Sequence, residues 1–522
     1  MSATRSFAVL GCLIAAGLIA ACGDDDTNPA SPASTGGGTG QAGAGGAGPT
    51  GGAAGTSGTA GTDGSAGDGG SAGIAGAAGA GGTAPPACVA VPDSAGNSAT
   101  VTPDGAAVVL ETAAGTAQNQ MELDTGNRLS DSHLGSLRRG PCGKVAIAFV
   151  AANPKGLVYQ DLSASSAPEL VIADATGHQS ALLFDSDCNP IILRAQGSSI
   201  AQHTRSGATW SQSSTGLDLA ALIGGSPSSI TLIASEMGAD GKLHVFGVTQ
   251  AGGVQRLVHG SRAAAANSDW AFEAPPELDA TELLAARVDL SGAIRVLYKS
   301  TKYPCDPCDL TLRHARWKSG AAWESSVVKL GVWGPPLDEL VDSPTLTFDS
   351  EGRAIVAGQF QRRVITGSLQ SSDLRLWRED GAAFCEEVVA TESDGYEGSD
   401  GKAFTGASPV AGVDEKGRIH VVFLDQSVWH DSTGMNEVTG HIRHAMKTTG
   451  GWQLSSLFEQ KGQTQSTKPL ETFGALQFVM PAASSPLLVA GTQRVWDTAS
   501  IYNSSAAPVT WKVTHLKATV SP

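Results

Sequence analysis

The sequence predicts an all-β protein, a β-propeller of four-stranded antiparallel blades, with seven blades favoured and six as the alternative. Three observations predict it. A unit of four short apolar segments recurs through residues 140–515, Asp-x-x-Gly turns punctuate the units, and helical signals are almost absent. Blades of this kind bury their faces only against neighbours, so the ring must close on itself.

The clearest unit opens with Ser408-Pro409-Val410-Ala411-Gly412-Val413, turns at Asp414-Glu415-Lys416-Gly417, and returns as Arg418-Ile419-His420-Val421-Val422-Phe423. After a longer loop come His441 to Met446 and a last strand opened by Gly450-Gly451-Trp452. Aspartate at the start of such a turn accepts its own backbone hydrogen bonds, and glycine tolerates positive φ, which is why this pair recurs.

The unit repeats from Pro344 with Asp349-Ser350-Glu351-Gly352, Asp373 to Trp377 and Phe384, and from Ala286 with Asp289-Leu290-Ser291-Gly292, Leu312 to Ala315 and Trp323. Weaker copies run from Gly241 to Trp270, from Asp185 to Trp210, and from Gly140-Pro141-Cys142-Gly143 into Val145 to Val150. A last unit keeps the order with Leu476 to Met480, Leu487 to Ala490 and Trp511. Turns near 143, 188, 241, 292, 352, 417 and 485 make seven units. A β-sandwich followed by a smaller propeller is a further alternative. Residues 88 to 135, with Val101 to Val109 as a possible strand, are expected to supply a closing strand.

Ahead of this body lie an export address and a tether. Residues 1–21 combine Arg5, an apolar run from Phe7 to Ala20 too short for a permanent span, and a small-residue end at Cys22, which reads as a cleaved signal. Ile19-Ala20-Ala21-Cys22 resembles the lipobox of bacterial lipoproteins, and that resemblance implies lipidation of Cys22 and attachment to a membrane through the lipid. Gly23, rather than an aspartate, follows it, so an outer-membrane destination is expected. Residues 22–86 are Gly, Ala, Ser, Thr and Pro with a few Asp, and too few apolar side chains to offset the entropy of ordering them. A flexible coil of that length spans roughly 40 Å. The propeller is expected over residues 87–522.

Composition excludes some partners. The 34 basic against 50 acidic side chains give a net charge of −16, with no basic stripe, so nucleic acid is not an expected partner. No HExxH, GxSxG or Walker-type loop occurs, and no cofactor is expected. His244 and His420 share one strand position and His314 and His444 another, so repeated packing explains them better than a single catalytic centre.

Pro344-Thr345-Leu346-Thr347-Phe348-Asp349-Ser350-Glu351-Gly352-Arg353, the His420-Val421 strand, the Arg443-His444-Ala445 strand and the Gly450-Gly451-Trp452 ending resemble sialidase-type or BNR-like repeat propellers of exported bacterial proteins. The resemblance covers most of residues 140–515. It implies the propeller fold, and, for a catalytic member, an arginine cluster around a sugar carboxylate, a tyrosine nucleophile paired with a glutamate, and an acidic proton donor. Arg138, Arg139, Arg287, Arg362 and Arg363 are the arginines available for such a cluster. None of Tyr159, Tyr298, Tyr303, Tyr396 and Tyr502 carries a matching motif.

With the turns after strands one and three tight, the longer connections gather on the opposite rim, and that rim is the expected contact face. Lys302, Tyr303, Asp306, Arg362, Arg363, Trp429, His430 and Asp431 fall in loops between strands two and three, and Trp333 and Tyr396 between blades. The loop with Asp394, Glu397 and Asp400 offers oxygens of the type Ca²⁺ prefers, without EF-hand spacing, and reads first as a solvated acidic loop. Besides Cys12 and Cys22 the chain holds Cys88, Cys142, Cys188, Cys305, Cys308 and Cys385, an even set that in an exported protein argues for disulfides. Cys142 and Cys188 occupy matching turns of adjacent units, and Cys305-Asp306-Pro307-Cys308 reads as a local clip. The expectation is a monomeric, non-catalytic module that binds a protein or a glycan. A sialidase-like glycoside hydrolase or lyase and a purely structural envelope spacer are its rivals.

Overall fold

The computed structural model describes residues 88–114, 135–152, 154–164, 166–174, 180–301, 308–333, 337–364, 369–391, 402–430, 436–464, 470–482, 486–496 and 510–521. It is a seven-bladed β-propeller. The chain enters through β1 (Thr100–Pro103) and β2 (Val108–Ala114). Blade 1 follows with β3 (Leu137–Arg139), β4 (Val145–Ala152), β5 (Lys155–Asp161) and β6 (Glu169–Ala173), and blade 2 with β7 (Ser180–Phe184), β8 (Pro190–Gln196), β9 (Ser199–Ser206) and β10 (Thr209–Ser214). Blade 3 is β11 (Thr231–Met237), β12 (Lys242–Ala251), β13 (Val254–Ala263) and β14 (Ala271–Glu273); blade 4 is β15 (Glu282–Val288), β16 (Ile294–Thr301), β17 (Cys308–Trp317) and β18 (Glu324–Trp333). Blade 5 is β19 (Leu337–Phe348), β20 (Ala354–Val364), β21 (Leu369–Asp380) and β22 (Ala383–Ala390); blade 6 is β23 (Lys402–Val413), β24 (Ile419–His430), β25 (Asn436–Thr448) and β26 (Gly451–Thr464). Blade 7 is β27 (Leu470–Val479), β28 (Leu487–Trp496) and β29 (Thr510–Ser521), completed by the N-terminal strands.

Each inner strand abuts the next, from β3 through β7, β11, β15, β19, β23 and β27, and β27 returns to β3. Seven apolar clusters fill the seven interfaces between blades. Because both faces of a blade are covered, its middle strands read as continuous apolar runs; seven of the eight residues of β4 are buried. This is what the repeat pattern required.

The ring is closed by the N-terminus. β1 and β2 both pair antiparallel with β29, so the expected strand from Val101 to Val109 is in fact two strands broken near Asp104 to Ala107. Trp511 lies in β29, the third strand of its blade, because the fourth place is taken by the N-terminal strand. On the way to β1, residues 88–99 cross the turns of blade 6: Ser94 Oγ donates to Lys416 O at 2.8 Å, and Thr449 N donates to Gly96 O at 2.9 Å. A disulfide between Cys88 and Cys385 ties the start of this strap to β22. The expected pair Cys142–Cys188 is also bonded, joining the first turns of blades 1 and 2. Cys305 lies outside the described residues, and Cys308 begins β17.

The Asp turns form for the reason the sequence suggested. In blades 4, 5 and 6 one carboxylate oxygen of Asp289, Asp349 or Asp414 accepts the amides two and four residues on. Glycine follows at φ near +78° at Gly352 and Gly417. In blade 2 Cys188 stands in the glycine's place at φ +63°, held there by its bond to Cys142.

Two expectations are corrected. The first strands expected from Pro344 and Ser408 begin earlier, at Leu337 and Lys402. Ser343 at φ +46° and Ser408 at φ +47°, each followed by proline, make matching bulges inside these strands. Nor are all the connections between strands two and three long: β8 and β9 are joined through Gly197-Ser198 and β12 and β13 through Gly252-Gly253. Longer connections occur in blades 4 to 7, and in blades 5 to 7 β19, β21, β23, β24, β25, β26 and β29 run to 12–14 residues. The rim is therefore one-sided. Among the described residues the only α-helix is Leu219–Ile223, and no helix is long and apolar enough to cross a membrane.

Candidate functional site

A cavity of about 580 Å³ occupies the channel between the inner strands, with lining from all seven of them. Pro141, Asp414, Glu415 and Pro481 line it, so it reaches the edge that carries the Asp turns rather than the long-connection rim. Six turns share one backbone bond, from the N–H of their first residue to the carbonyl four residues on, at Gly140, Asp185, Gly238, Asp289, Asp349 and Asp414. Two residues before each stands the wall of the cavity: Arg138, Leu183, Glu236, Arg287, Thr347 and Gly412. The repeat is abandoned here. Equivalent backbone positions carry two guanidinia, one carboxylate, an isobutyl group, a hydroxyl and a hydrogen atom.

Glu236 and Arg287 are locked together. Arg287 Nε donates to Glu236 Oε2 at 2.8 Å, and Val288 N donates to Glu236 Oε1. Arg287 Nη1 also donates to Leu346 O at 3.1 Å, which orients the guanidinium from blade 5. Arg138 reaches across the channel to donate through Nη2 to Ser235 O, while its Nε has no acceptor among the described residues. The Arg138 guanidinium packs against Gly135, where a Cβ would come within 2.0 Å of it. Burial pushes its pKa down to about 10, helped by the like charge of Arg287 and opposed by Glu236. Arg139 is likewise lowered by burial, with Glu415 opposing.

On blades 6 and 7 the lining mixes Asp414, Glu415 and Gln477 with the apolar side chains Val410, Phe478 and Met480. Phe478 and Met480 of blade 7 press into the space that Gly412 leaves, since a Cβ there would sit 2.6 Å from the Met480 sulfur. The arrangement offers three guanidinia and three carboxylates around one channel, with apolar side chains between them.

The histidines form internal relays. Asp414 Oδ2, His420 and His444 are joined in blade 6, with 3.0 Å between His420 Nδ1 and His444 Nε2. In blade 3 Asp240, His244, His259 and Glu273 make a longer chain with ring nitrogens 2.9 Å apart, and in blade 4 Arg295 takes the first histidine's place between Asp289 and His314. Burial holds His314 down to about 4 and His444 well below its ordinary value. For Asp414, burial alone would raise the pKa, yet the bonds from His420 and Arg418 bring it to about 2.

Of the residues expected at the contact rim, Arg362 is described fully. It pairs with Glu339 at 3.7 Å and Asp373 at 3.9 Å and lies over the Phe360 ring. Trp333, Arg363, Trp429 and His430 are placed by backbone register near the far ends of β18, β20 and β24, on the same edge of the blades. Lys302, Tyr303, Asp306, Tyr396, Asp431, the candidate calcium ligands Asp394, Glu397 and Asp400, and Cys22 lie outside the described residues. The structure does bring Arg138, Arg139 and Arg287 to one cavity. Glu236 was missed; its signal was a carboxylate at a repeat position where the neighbouring copies hold Leu183 and Arg287.

Fold and cavity together define the class: a seven-bladed β-propeller with a charged channel. No family model and no curated protein matches the chain. Among solved structures it is similar to the polysaccharide lyase Uly1, at 10% identity over 75% of this chain and 89% of that one, with a TM-score of 0.42. A triple mutant of AofleA from Arthrobotrys oligospora is 9% identical over 68% of this chain and 92% of that one, with a TM-score of 0.33. A GH62 hydrolase in complex with xylotriose is 11% identical over 53% and 88%, with a TM-score of 0.23. The seven-bladed assignment rests on the circular order of the inner strands, not on these likenesses.

Proposed function

We propose that the protein is a non-catalytic binding propeller, held at the cell envelope through lipid on Cys22, that engages a protein or glycan. The observation that carries the non-catalytic part is the state of Glu236, whose two oxygens are held by Arg287 Nε and Val288 N. A carboxylate clamped between fixed donors orients a guanidinium and is poorly placed to carry a proton to a leaving group. The one-sided rim of blades 4 to 7 supports contact with a large partner rather than a small metabolite. The test is a glycan and secretome binding screen with the soluble propeller, repeated with Trp429→Ala and Arg363→Ala. Retention of a defined partner that weakens in these variants supports the reading, and a blank screen favours the spacer.

One observation favours the second reading, a glycoside hydrolase or lyase on the same ring: three arginines converge on a cavity that also holds Glu236, Asp414 and Glu415. Turnover of a glycan that vanishes in Glu236→Gln would establish that alternative.

A further inference from the structure

We propose that the Cys142–Cys188 bond is a reversible thiol-exchange site, open to a dithiol reductant, that clasps blades 1 and 2 at the turn-side mouth of the channel. The two cysteines stand in the first turns of those blades, beside Pro141 of the cavity lining. Cys142 is exposed and Cys188 half-buried, so an incoming thiolate reaches Cys142 Sγ first. Cys142 N donates to Cys188 Sγ at 3.0 Å, and an N–H aimed at a sulfur favours its thiolate. The new S–S bond therefore joins the reductant to Cys142, and the electron pair of the broken bond leaves on Cys188. The reductant's second thiolate then attacks its own first sulfur. The reductant ends as a disulfide, and its two protons and two electrons end on the thiols of Cys142 and Cys188. Cys88–Cys385 offers the contrast within the same chain, since Cys385 is 0% exposed in β22.

Each turn also has bonds of its own that survive reduction. Gly140 N donates to Lys144 O at 2.7 Å, and Asp185 Oδ1 accepts Asp187 N at 3.0 Å and Asn189 N at 2.7 Å. The two thiols therefore stay close to one another, which favours re-formation of the bond. What the disulfide adds is a hold where the ring is thinnest. β3 and β7, of three and five residues, are neighbours and the two shortest of the seven inner strands. A backbone bond from Leu182 N to Gly135 O at 3.0 Å joins their blades farther from the turns and keeps the ring closed when the clasp opens. The site lies on the edge opposite the long connections and stands whether or not that rim binds a partner.

The experiment treats the folded full chain with dithiothreitol or with glutathione, quenches by alkylation and reads each cysteine by peptide mass spectrometry. Cys142–Cys188 should open at least about tenfold faster than Cys88–Cys385. With glutathione, the early adduct should sit on Cys142, with Cys188 alkylated. Hydrogen exchange of the selectively reduced protein should quicken by about tenfold in residues 137–144 and 180–189, while the turn from Val288 to Ile294 in blade 4 keeps its rates. Cys142→Ser/Cys188→Gly gives the second turn the residue that its φ of +63° suits, and should show the same faster exchange without reductant. Opening of the two disulfides at equal rates, an early adduct on Cys188, or exchange in the folded double variant no faster than in the oxidised wild type overturns the proposal.

Discussion

Glu386 and Glu387 are neighbours on β22, yet they hold opposite sides of the same blade. Glu386 accepts from Arg375, from Trp377 Nε1 at 3.1 Å and from Lys329 Nζ of blade 4 at 2.8 Å. Glu387 accepts from Arg378, from Lys447 Nζ at 2.8 Å and from Trp452 Nε1 at 3.0 Å, the latter two in blade 6. The alternation of a strand thus turns two consecutive carboxylates into clamps on both neighbouring blades. Glu386→Gln and Glu387→Gln should each cost about 2 kcal/mol, the scale of a lost charge-assisted bond in a partly buried site. Since they share no partner, their effects should add to within about 0.5 kcal/mol, and urea unfolding of the double variant checks this.

Acid should weaken the ring through its histidines. His259, His314, His420 and His444 all have folded pKa values lowered by burial, His314 to about 4. The unfolded chain takes up protons near pH 6.5 while the folded relays resist them, so stability is full above that pH and falls as pH drops toward about 4. The thermal midpoint across this range should decline, and more shallowly in His444→Gln than in the wild type. An equal slope in the two proteins would remove His444 from the explanation.

A different acid limb belongs to the carboxylates. Burial would raise Glu386 and Glu387, but Lys329 and Arg375 on one and Lys447 and Arg378 on the other bring both below the ordinary range. Their contribution is present above about pH 4.5 and is lost as pH falls through their lower folded values. Lys329→Met, which leaves Glu386 with fewer cations, should move that limb to higher pH in a stability profile taken between pH 5 and 2.

Two glycines with nearly the same backbone should respond differently to a methyl group. Gly292 at φ +77° has open space where a Cβ would stand, whereas at Gly417, φ +78°, the Cβ would lie 2.4 Å from the Pro92 ring of the N-terminal strap. Gly292→Ala should cost about 1 kcal/mol, the price of the left-handed conformation alone. Gly417→Ala should cost at least about 1 kcal/mol more and loosen the strap. Chemical unfolding of both variants measures the difference.

The Cys88–Cys385 bond spans 297 residues of sequence, and it fixes the strap that leads into the closing strand. Replacing it in Cys88→Ser/Cys385→Ser should cost about 2 to 4 kcal/mol. Amides of β1 and of its partner β29 should exchange faster, while those of β12 and β13 in blade 3 keep their protection. Hydrogen exchange by mass spectrometry separates these outcomes.

Much of this fold is readable in the sequence, because each Asp turn is a local event with its own chemistry. Asp289, Asp349 and Asp414 mark the blades whatever surrounds them, and Cys142 and Cys188 pair because their turns are adjacent copies. What escapes is what only ring closure creates. Cys88 and Cys385 meet because the first strand returns to the last blade, and Ser343-Pro344 and Ser408-Pro409 look like strand beginnings because proline usually stands at an edge, not at a bulge within a longer strand. Glu236 is hidden for a related reason. Its meaning depends on Arg138 and Arg287, which are far away in sequence and join it only across the channel.

The most direct measurement is a paired assay in which the purified propeller is offered a panel of acidic and neutral glycans and envelope proteins, with retention and bond cleavage followed on the same samples. A saturable complex from which the ligand is recovered chemically unchanged is the predicted result. Release of cleavage product by the wild type, and not by Glu236→Gln, would contradict it.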